Sequence, residues 1–464
     1  MASRNTLCAV IAAALFLALP FAKSQSFIGV NYGEVADNLP PPAATVQLLQ
    51  STTISKVRLY GADPNILRAL AGTGISVIIG AANGDIAALA SDPMAAANWV
   101  SANVLPFFPA TDISVVALGN EAFSSGDASL ASQLLPAMQN LRTALAAASS
   151  AAAGIKVSTV NIMSVLASSD PPSSGAFHAD VLPALKGVLD FLKNTGSPFM
   201  INPYPYFAYQ SDPRPETLAF CLFQPNAGRH DAGSGATYMN MFDAQVDAVR
   251  AAIAAAGFPG VEIVVAETGW PYRGDADEQG ATVENAQAYN GGLVAHLRSL
   301  AGTPMAPGKS VDTYIFALYD EDLKPGPTSE RSFGLFRPDL TPTYDAGLTE
   351  SSPNAGGPAS QNTTEAAPKR AVGKGWCVPK QGATEAALQA SLDYACGQPA
   401  VDCSPIQQGG ACFEPNTVRS HAAYSMNQFY QVSGRNSYDC DFSGSGVVTT
   451  DNPSYSKCVY NGGQ

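Results

Sequence analysis

The stretch Val115-Val116-Ala117-Leu118-Gly119-Asn120-Glu121-Ala122-Phe123 begins as a buried strand and stops on an amide and a carboxylic acid. An unbroken apolar run bounded by turn residues is the mark of a strand covered on both faces, as in a parallel sheet. Polar residues favour turns, so Asn120 and Glu121 could be simple strand terminators. Barrel enzymes, however, carry their reactive groups at the C-terminal ends of their strands. The stretch Ile263-Val264-Val265-Ala266-Glu267-Thr268-Gly269-Trp270-Pro271 repeats the pattern, with a buried run that ends on Glu267 beside a tryptophan.

Short β-branched or aromatic runs recur on either side of these two. The predicted strands are 27–32, 55–60, 76–79, 113–118, 156–162, 199–204, 262–266 and 312–319. Alanine- and leucine-rich helical patterns separate them. One follows Asp63-Pro64, a capping residue and a favoured first-turn proline; another, 242–256, has Val246, Val249 and Ile253 at helical spacing. Eight strands alternating with helices fit an α/β fold, a (β/α)8 TIM barrel. A doubly wound open sheet is the alternative, but no GxGxxG turn follows the first strand. In a closed barrel the ends of the fourth and seventh strands lie on one rim, which brings Glu121 and Glu267 to the same mouth. Two facing carboxyls can cleave a glycosidic bond, one as general acid and one as nucleophile.

The 464 residues are 46% apolar and 14% charged, enough for a large core and more than one domain. At the N-terminus Arg4, the apolar run Leu7 to Leu19 and Ala22-Lys23-Ser24 predict a secretory signal peptide, 1–24. A net charge of −13 argues against nucleic acid and anionic membranes as partners, and a neutral polymer is compatible with it. The expected product is a secreted, extracellular or cell-wall protein without a membrane anchor, and a monomer. After Leu348 the texture changes to a Ser-, Pro-, Ala- and Gly-rich segment that predicts a flexible linker, 349–373, with an N-glycosylation sequon at Asn362. Six of the eight cysteines, Cys377, Cys396, Cys403, Cys412, Cys440 and Cys458, crowd into the segment beyond it, 374–464. In an oxidising compartment that density reads as disulfides stapling a small domain, and CxxC zinc spacing is absent. Spacing alone leaves about fifteen pairings open. Cys221, among apolar neighbours, reads as a buried inert thiol. No metal or other cofactor is expected.

Several motifs together carry a family resemblance. Gly29-Val30-Asn31-Tyr32-Gly33, Val57-Arg58-Leu59-Tyr60, Gly119-Asn120-Glu121, Asn202-Pro203-Tyr204-Pro205-Tyr206-Phe207, Glu267-Thr268-Gly269-Trp270-Pro271 and the run Phe316 to Gly326 stand in order along 25–348. With Glu330 and Phe333-Gly334-Leu335-Phe336 they resemble plant glycoside hydrolase family 17, the endo-1,3-β-glucanases. The resemblance implies a retaining enzyme acting on 1,3-β-glucan, with Glu267 as nucleophile and Glu121 as acid/base. It also implies polar contacts to sugar from Asn120, Asn202, Glu321, Lys324 and Glu330. Tyr32, Tyr60, Tyr204, Phe207 and Trp270 offer aromatic faces to sugar rings, although each could equally be core packing. Lys324 beside two glutamates could be a rim salt bridge.

The segment 374–464 resembles the X8 domain, or carbohydrate-binding module family 43, through Trp376-Cys377-Val378-Pro379, Asp402-Cys403-Ser404-Pro405-Ile406 and Cys412-Phe413-Glu414-Pro415-Asn416-Thr417. That likeness implies 1,3-β-glucan binding and the pairs Cys377–Cys440, Cys396–Cys403 and Cys412–Cys458. The whole resembles the long, two-domain type that includes a pollen allergen. A silent or transglycosylating glucan-binding wall protein is the competing expectation. Loss of either glutamate would favour the silent form, and both are present.

Overall fold

The computed structural model describes residues 28–348 except 125, and residues 375–462 except 399, 400, 434, 436, 437, 441, 443 and 444. The predicted signal peptide, the linker 349–373 and the Asn362 sequon lie outside the described residues.

Eight parallel strands close into a barrel: β1 (Ile28–Tyr32), β2 (Lys56–Leu59), β3 (Ser76–Ala81), β4 (Asp112–Asn120), β5 (Lys156–Ile162), β6 (Phe199–Asn202), β7 (Ile263–Thr268) and β8 (Asp312–Ile315). Each pairs with its neighbours in sequence, and β1 pairs with β8 to close the ring. The α/β barrel expected from the sequence is the fold found. Strand alternation sends Val57, Val77, Val116, Val157, Ile201 and Val265 into the layer shared with the helices, where they are fully or almost fully buried. Each such side chain contributes about 1.5–3 kcal/mol of transfer free energy. Ile78, Val115, Ala117, Val160, Met200, Ala266 and Tyr314 form a separate cluster within the barrel. Gly29 leaves room for it, since a Cβ there would stand 2.6 Å from the Tyr314 ring.

The helices begin where the sequence signals them. Asp63 accepts from the backbone of Asn65 and Ile66 at 2.8 and 2.9 Å and caps the helix Pro64–Ala69. The long predicted helix is Met241–Ala255, capped by Asn240.

Two ladder irregularities bear on the rim. Between Ala117↔Ser158 and Asn120↔Val160, β4 carries a residue more than β5. Between Val265↔Thr313 and Thr268↔Ile315, β7 likewise carries one more than β8. Such bulges re-aim side chains at strand ends, and here they flank the two glutamates.

In the C-terminal segment β9 (Trp376–Pro379) pairs antiparallel with β10 (Gly446–Thr449) beside the helices Glu385–Cys396 and Val418–Val432. Disulfides join Cys377 to Cys440, Cys396 to Cys403 and Cys412 to Cys458. Its two apolar clusters are small, so the covalent links carry much of its stability. One cluster includes Met239 from the barrel side, and the Tyr394 hydroxyl donates to the Phe223 carbonyl. Cys221 is buried and unpaired, and burial pushes its thiol up to about 12.

Candidate active site

A cleft of about 840 Å³ opens at the C-terminal ends of the strands, and Glu121 and Glu267 both line it. The two reach it differently. Glu267 is 6% exposed and both its oxygens are held: Arg58 Nη1 donates to Oε1 at 2.7 Å, and the Tyr204 hydroxyl to Oε2 at 2.9 Å. The guanidinium also donates to the Ala266 carbonyl at 3.1 Å and to Asn120 Oδ1 at 2.8 Å, and it stacks 4.6 Å from the Tyr60 ring centroid. A charge-assisted pair of this kind fixes a carboxylate in direction.

Among the described residues Glu121 takes a single side-chain donor, Asn202 Nδ2 at 2.8 Å on Oε1. Burial, and then the charge of Glu267, push its carboxyl above the usual carboxylate range, against the Asn202 hydrogen bond and the Arg58 charge. Its backbone sits at φ 59°, and Gly119 two residues earlier at φ 70°. A left-handed glutamate is strained and persists only where its surroundings fix it. One carboxyl is thus gripped by a guanidinium and a phenol, and its neighbour is pushed toward holding a proton, an unequal pair of the kind that acid/base chemistry needs.

Comparison with known proteins fits this geometry. The model of the family "Glycosyl hydrolases family 17" matches residues 28–347, and the X8 domain model matches 375–447. The chain belongs to glycosyl hydrolase family 17. It is 63% identical over 443 residues to a protein of Arabidopsis thaliana named glucan endo-1,3-beta-glucosidase 7, covering 96% of this chain and 86% of that one. It is 55% identical over 442 residues to a glucan endo-1,3-beta-D-glucosidase of Olea europaea, covering 95% of each. Among solved structures it resembles a beta-1,3-glucanase and allergen of Cryptomeria japonica pollen, with a TM-score of 0.65 and 44% identity over 68% of this chain and 98% of that one.

The family 17 cleft gathers most of the residues singled out in the sequence. Tyr60, Asn120, Asn202, Tyr204, Phe207, Glu321, Lys324 and Glu330 all line it. Phe207 is 47% exposed and stands as an open ring at the edge. Lys324 pairs with Glu330 at 3.1 Å and lies 4.5 Å over the Phe316 ring, while Glu321 accepts from the Val35 amide at 3.0 Å. Asn202 is 2% exposed, so its amide serves Glu121 more than a ligand.

Two aromatic expectations need correction. Tyr32 and Trp270 do not line the cleft. Tyr32 points the other way in β1, its ring edge-on to Tyr319 and its hydroxyl 3.5 Å from Thr45. Trp270 is fully buried, donates to the Gly280 carbonyl at 2.8 Å and packs on Tyr206, Tyr209 and Tyr289. In both cases a large ring found more contact in the core than at the rim.

Arg58 is the functional residue that the sequence reading quoted but gave no role. Its signal was there: a fully charged side chain inside the buried run of β2, which burial permits only with a partner. Phe316, Phe333 and Gln245 also line the cleft and carried no such signal.

Proposed function

We propose that this chain is a secreted endo-1,3-β-glucosidase that hydrolyses internal 1,3-β-D-glucosidic bonds with retention, using Glu267 as nucleophile and Glu121 as acid/base. The observation that carries the assignment is the unequal treatment of two carboxyls in one cleft: a guanidinium and a phenol on Glu267, desolvation on Glu121. Family membership and the names of its relatives support the 1,3-β-glucan substrate.

In the first half-reaction Glu267 Oε attacks the anomeric carbon while the bond to the glycosidic oxygen breaks. Glu121 gives that oxygen its proton, and a glycosyl ester on Glu267 remains. In the second half Glu121 takes a proton from water, whose oxygen attacks the anomeric carbon and frees Glu267. Arg58 and Tyr204 keep the attacking carboxylate aimed, and Asn120, itself held by Arg58, is placed to bond the sugar 2-hydroxyl. Retention requires carboxyls about 5–5.5 Å apart, and Glu121 and Glu267 line one cleft. Tyr60, Tyr204 and Phe207 supply aromatic faces for the sugars on either side, and Glu321, Lys324 and Glu330 polar ones.

The C-terminal domain, 374–464, is proposed to bind the same polymer and to hold the enzyme on insoluble glucan, with 25–348 as the catalytic unit. Secretion as a monomer is part of the same reading. Among the described residues no helix is long and apolar enough to cross a membrane. Incubating the purified protein with linear 1,3-β-glucan tests the activity. Oligosaccharides of mixed length released early are expected, and an intact polymer after prolonged incubation would contradict it.

A further inference from the structure

We infer that Asn83 is a positioning residue for the Asn120–Glu121 pair, clamping the end of β4 where the backbone is forced into left-handed geometry. The inference rests on the reading of Glu121 as acid/base.

The backbone ladder between β3 and β4 runs only as far as Ala81↔Leu118. Beyond it a side chain takes over. The Asn120 amide donates to Asn83 Oδ1 at 2.8 Å, and Asn83 Nδ2 donates to the Asn120 carbonyl at 3.0 Å. One carboxamide thus satisfies both polar groups of one residue, as the peptide unit of a neighbouring strand would. Asn83 opens a short turn, Asn83–Asp85, that is itself pinned by the Ala82 amide on Asp85 Oδ2 at 3.1 Å.

The clamp sits where it is needed. Asn120 lies between Gly119 at φ 70° and Glu121 at φ 59°. From the β5 side the Glu121 amide is held by the Val160 carbonyl at 2.9 Å; from the β3 side the hold comes from Asn83. A strained conformer persists only when neighbours over-determine it, and these contacts are the neighbours. Rotation of this peptide would draw Asn120 Oδ1 off Arg58 Nη2 and Glu121 Oε1 off Asn202 Nδ2, both 2.8 Å contacts. The side chain at 83 must carry a donor and an acceptor at this short reach: aspartate lacks the donor and alanine both. Position 119 is constrained too, because a Cβ there would stand 2.7 Å from Asn83 Oδ1.

The test compares full-length wild type, Asn83→Ala and Asn83→Asp on soluble 1,3-β-glucan and on an aryl β-glycoside with a strongly acidic phenol as leaving group. Asn83→Ala is expected to lower kcat on the glucan by on the order of 10–100-fold with KM nearly unchanged. The loss on the aryl glycoside, which needs little protonation, is expected to be clearly smaller. Asn83→Asp, which keeps the acceptor, should fall between, and it decides the matter if the alanine variant does not fold. Equal losses on both substrates, a raised KM with unchanged kcat, or wild-type behaviour would each overturn the clamp. Glu121→Ala with added azide separates the two claims. If azide rescues that variant on the aryl glycoside while Asn83→Ala shows no leaving-group dependence, only the clamp fails. If Glu121→Ala keeps full activity on glucan, the acid/base reading itself fails.

Discussion

Arg58 and Glu267 form an ion pair at 2.7 Å in which the two side chains are only 2% and 8% exposed. A pair this deep is stabilising only while both partners remain, because either alone is an uncompensated buried charge. Arg58→Met should therefore cost about 3–5 kcal/mol of stability and abolish turnover. Arg58→Lys should keep the fold but lose the fork that joins Glu267 to Asn120, and kcat should drop more than the thermal midpoint suggests. Thermal unfolding and kcat on soluble glucan measure both; a fully active Arg58→Lys would contradict the fork's role.

Asn202 bears on the proton of Glu121. Its amide donates to the carboxyl and so favours the ionised form, in opposition to burial and to Glu267, which raise the pKa. Removing the donor with Asn202→Leu should raise that pKa further. The alkaline limb of the kcat/KM profile, where the acid loses its proton, should then move to higher pH, with a lower maximum from lost alignment. A limb that stays put or moves down would show that another group sets it.

A second buried pair predicts a pH-dependent stability. His296 Nε2 lies 2.9 Å from Asp243 Oδ1. Burial lowers the imidazole pKa, but the Asp243 charge and hydrogen bond win and the net shift is upward from 6.5. A folded-state pKa raised above the unfolded value adds stability that is fully present below about pH 6.5 and is lost as pH rises through the raised value. His296→Gln should consequently destabilise more at pH 5.5 than at pH 9, read from denaturant midpoints. The opposite order would mean that the ring is buried neutral.

The C-terminal domain should matter to substrate form more than to chemistry. A chain ending near residue 350 is expected to cleave short soluble glucan oligomers at close to the full-length rate and to fall behind on insoluble glucan. It should also melt somewhat lower, because Met239 and the Phe223 carbonyl lose their contacts with the cluster around Tyr394. Equal rate losses on both substrates would mean that the domain supports the barrel's active site directly.

Much of this was legible in the sequence because parallel strands are buried on both faces and read as apolar runs. The runs around Val115 and Val265 located their strands to within a few residues and exposed Glu121 and Glu267 as breaks in the pattern. Side-chain direction was less legible. Tyr32 and Trp270 sit beside rim residues in sequence, yet strand alternation turns Tyr32 toward Tyr319 and Thr45, and Trp270, just past the bulge in β7, packs in the core. Asn83 was invisible for a different reason: an asparagine in a turn is unremarkable until its contact 37 residues away is known. Arg58 lay in between, a charge in a buried run whose partner only the fold could supply.

The central claim is that Glu267 becomes covalently glycosylated. The direct measurement is to incubate the protein with a 2-deoxy-2-fluoro 1,3-β-glucosyl donor bearing an activated leaving group, then map the modified residue by mass spectrometry of peptides. Fluorine at C2 slows both steps, and the activated leaving group restores the first, so the ester accumulates. The account predicts stoichiometric labelling at Glu267, loss of activity in step with it, and no label in Glu267→Gln. A label on another carboxylate, or an unlabelled enzyme that releases product of inverted configuration, would contradict it.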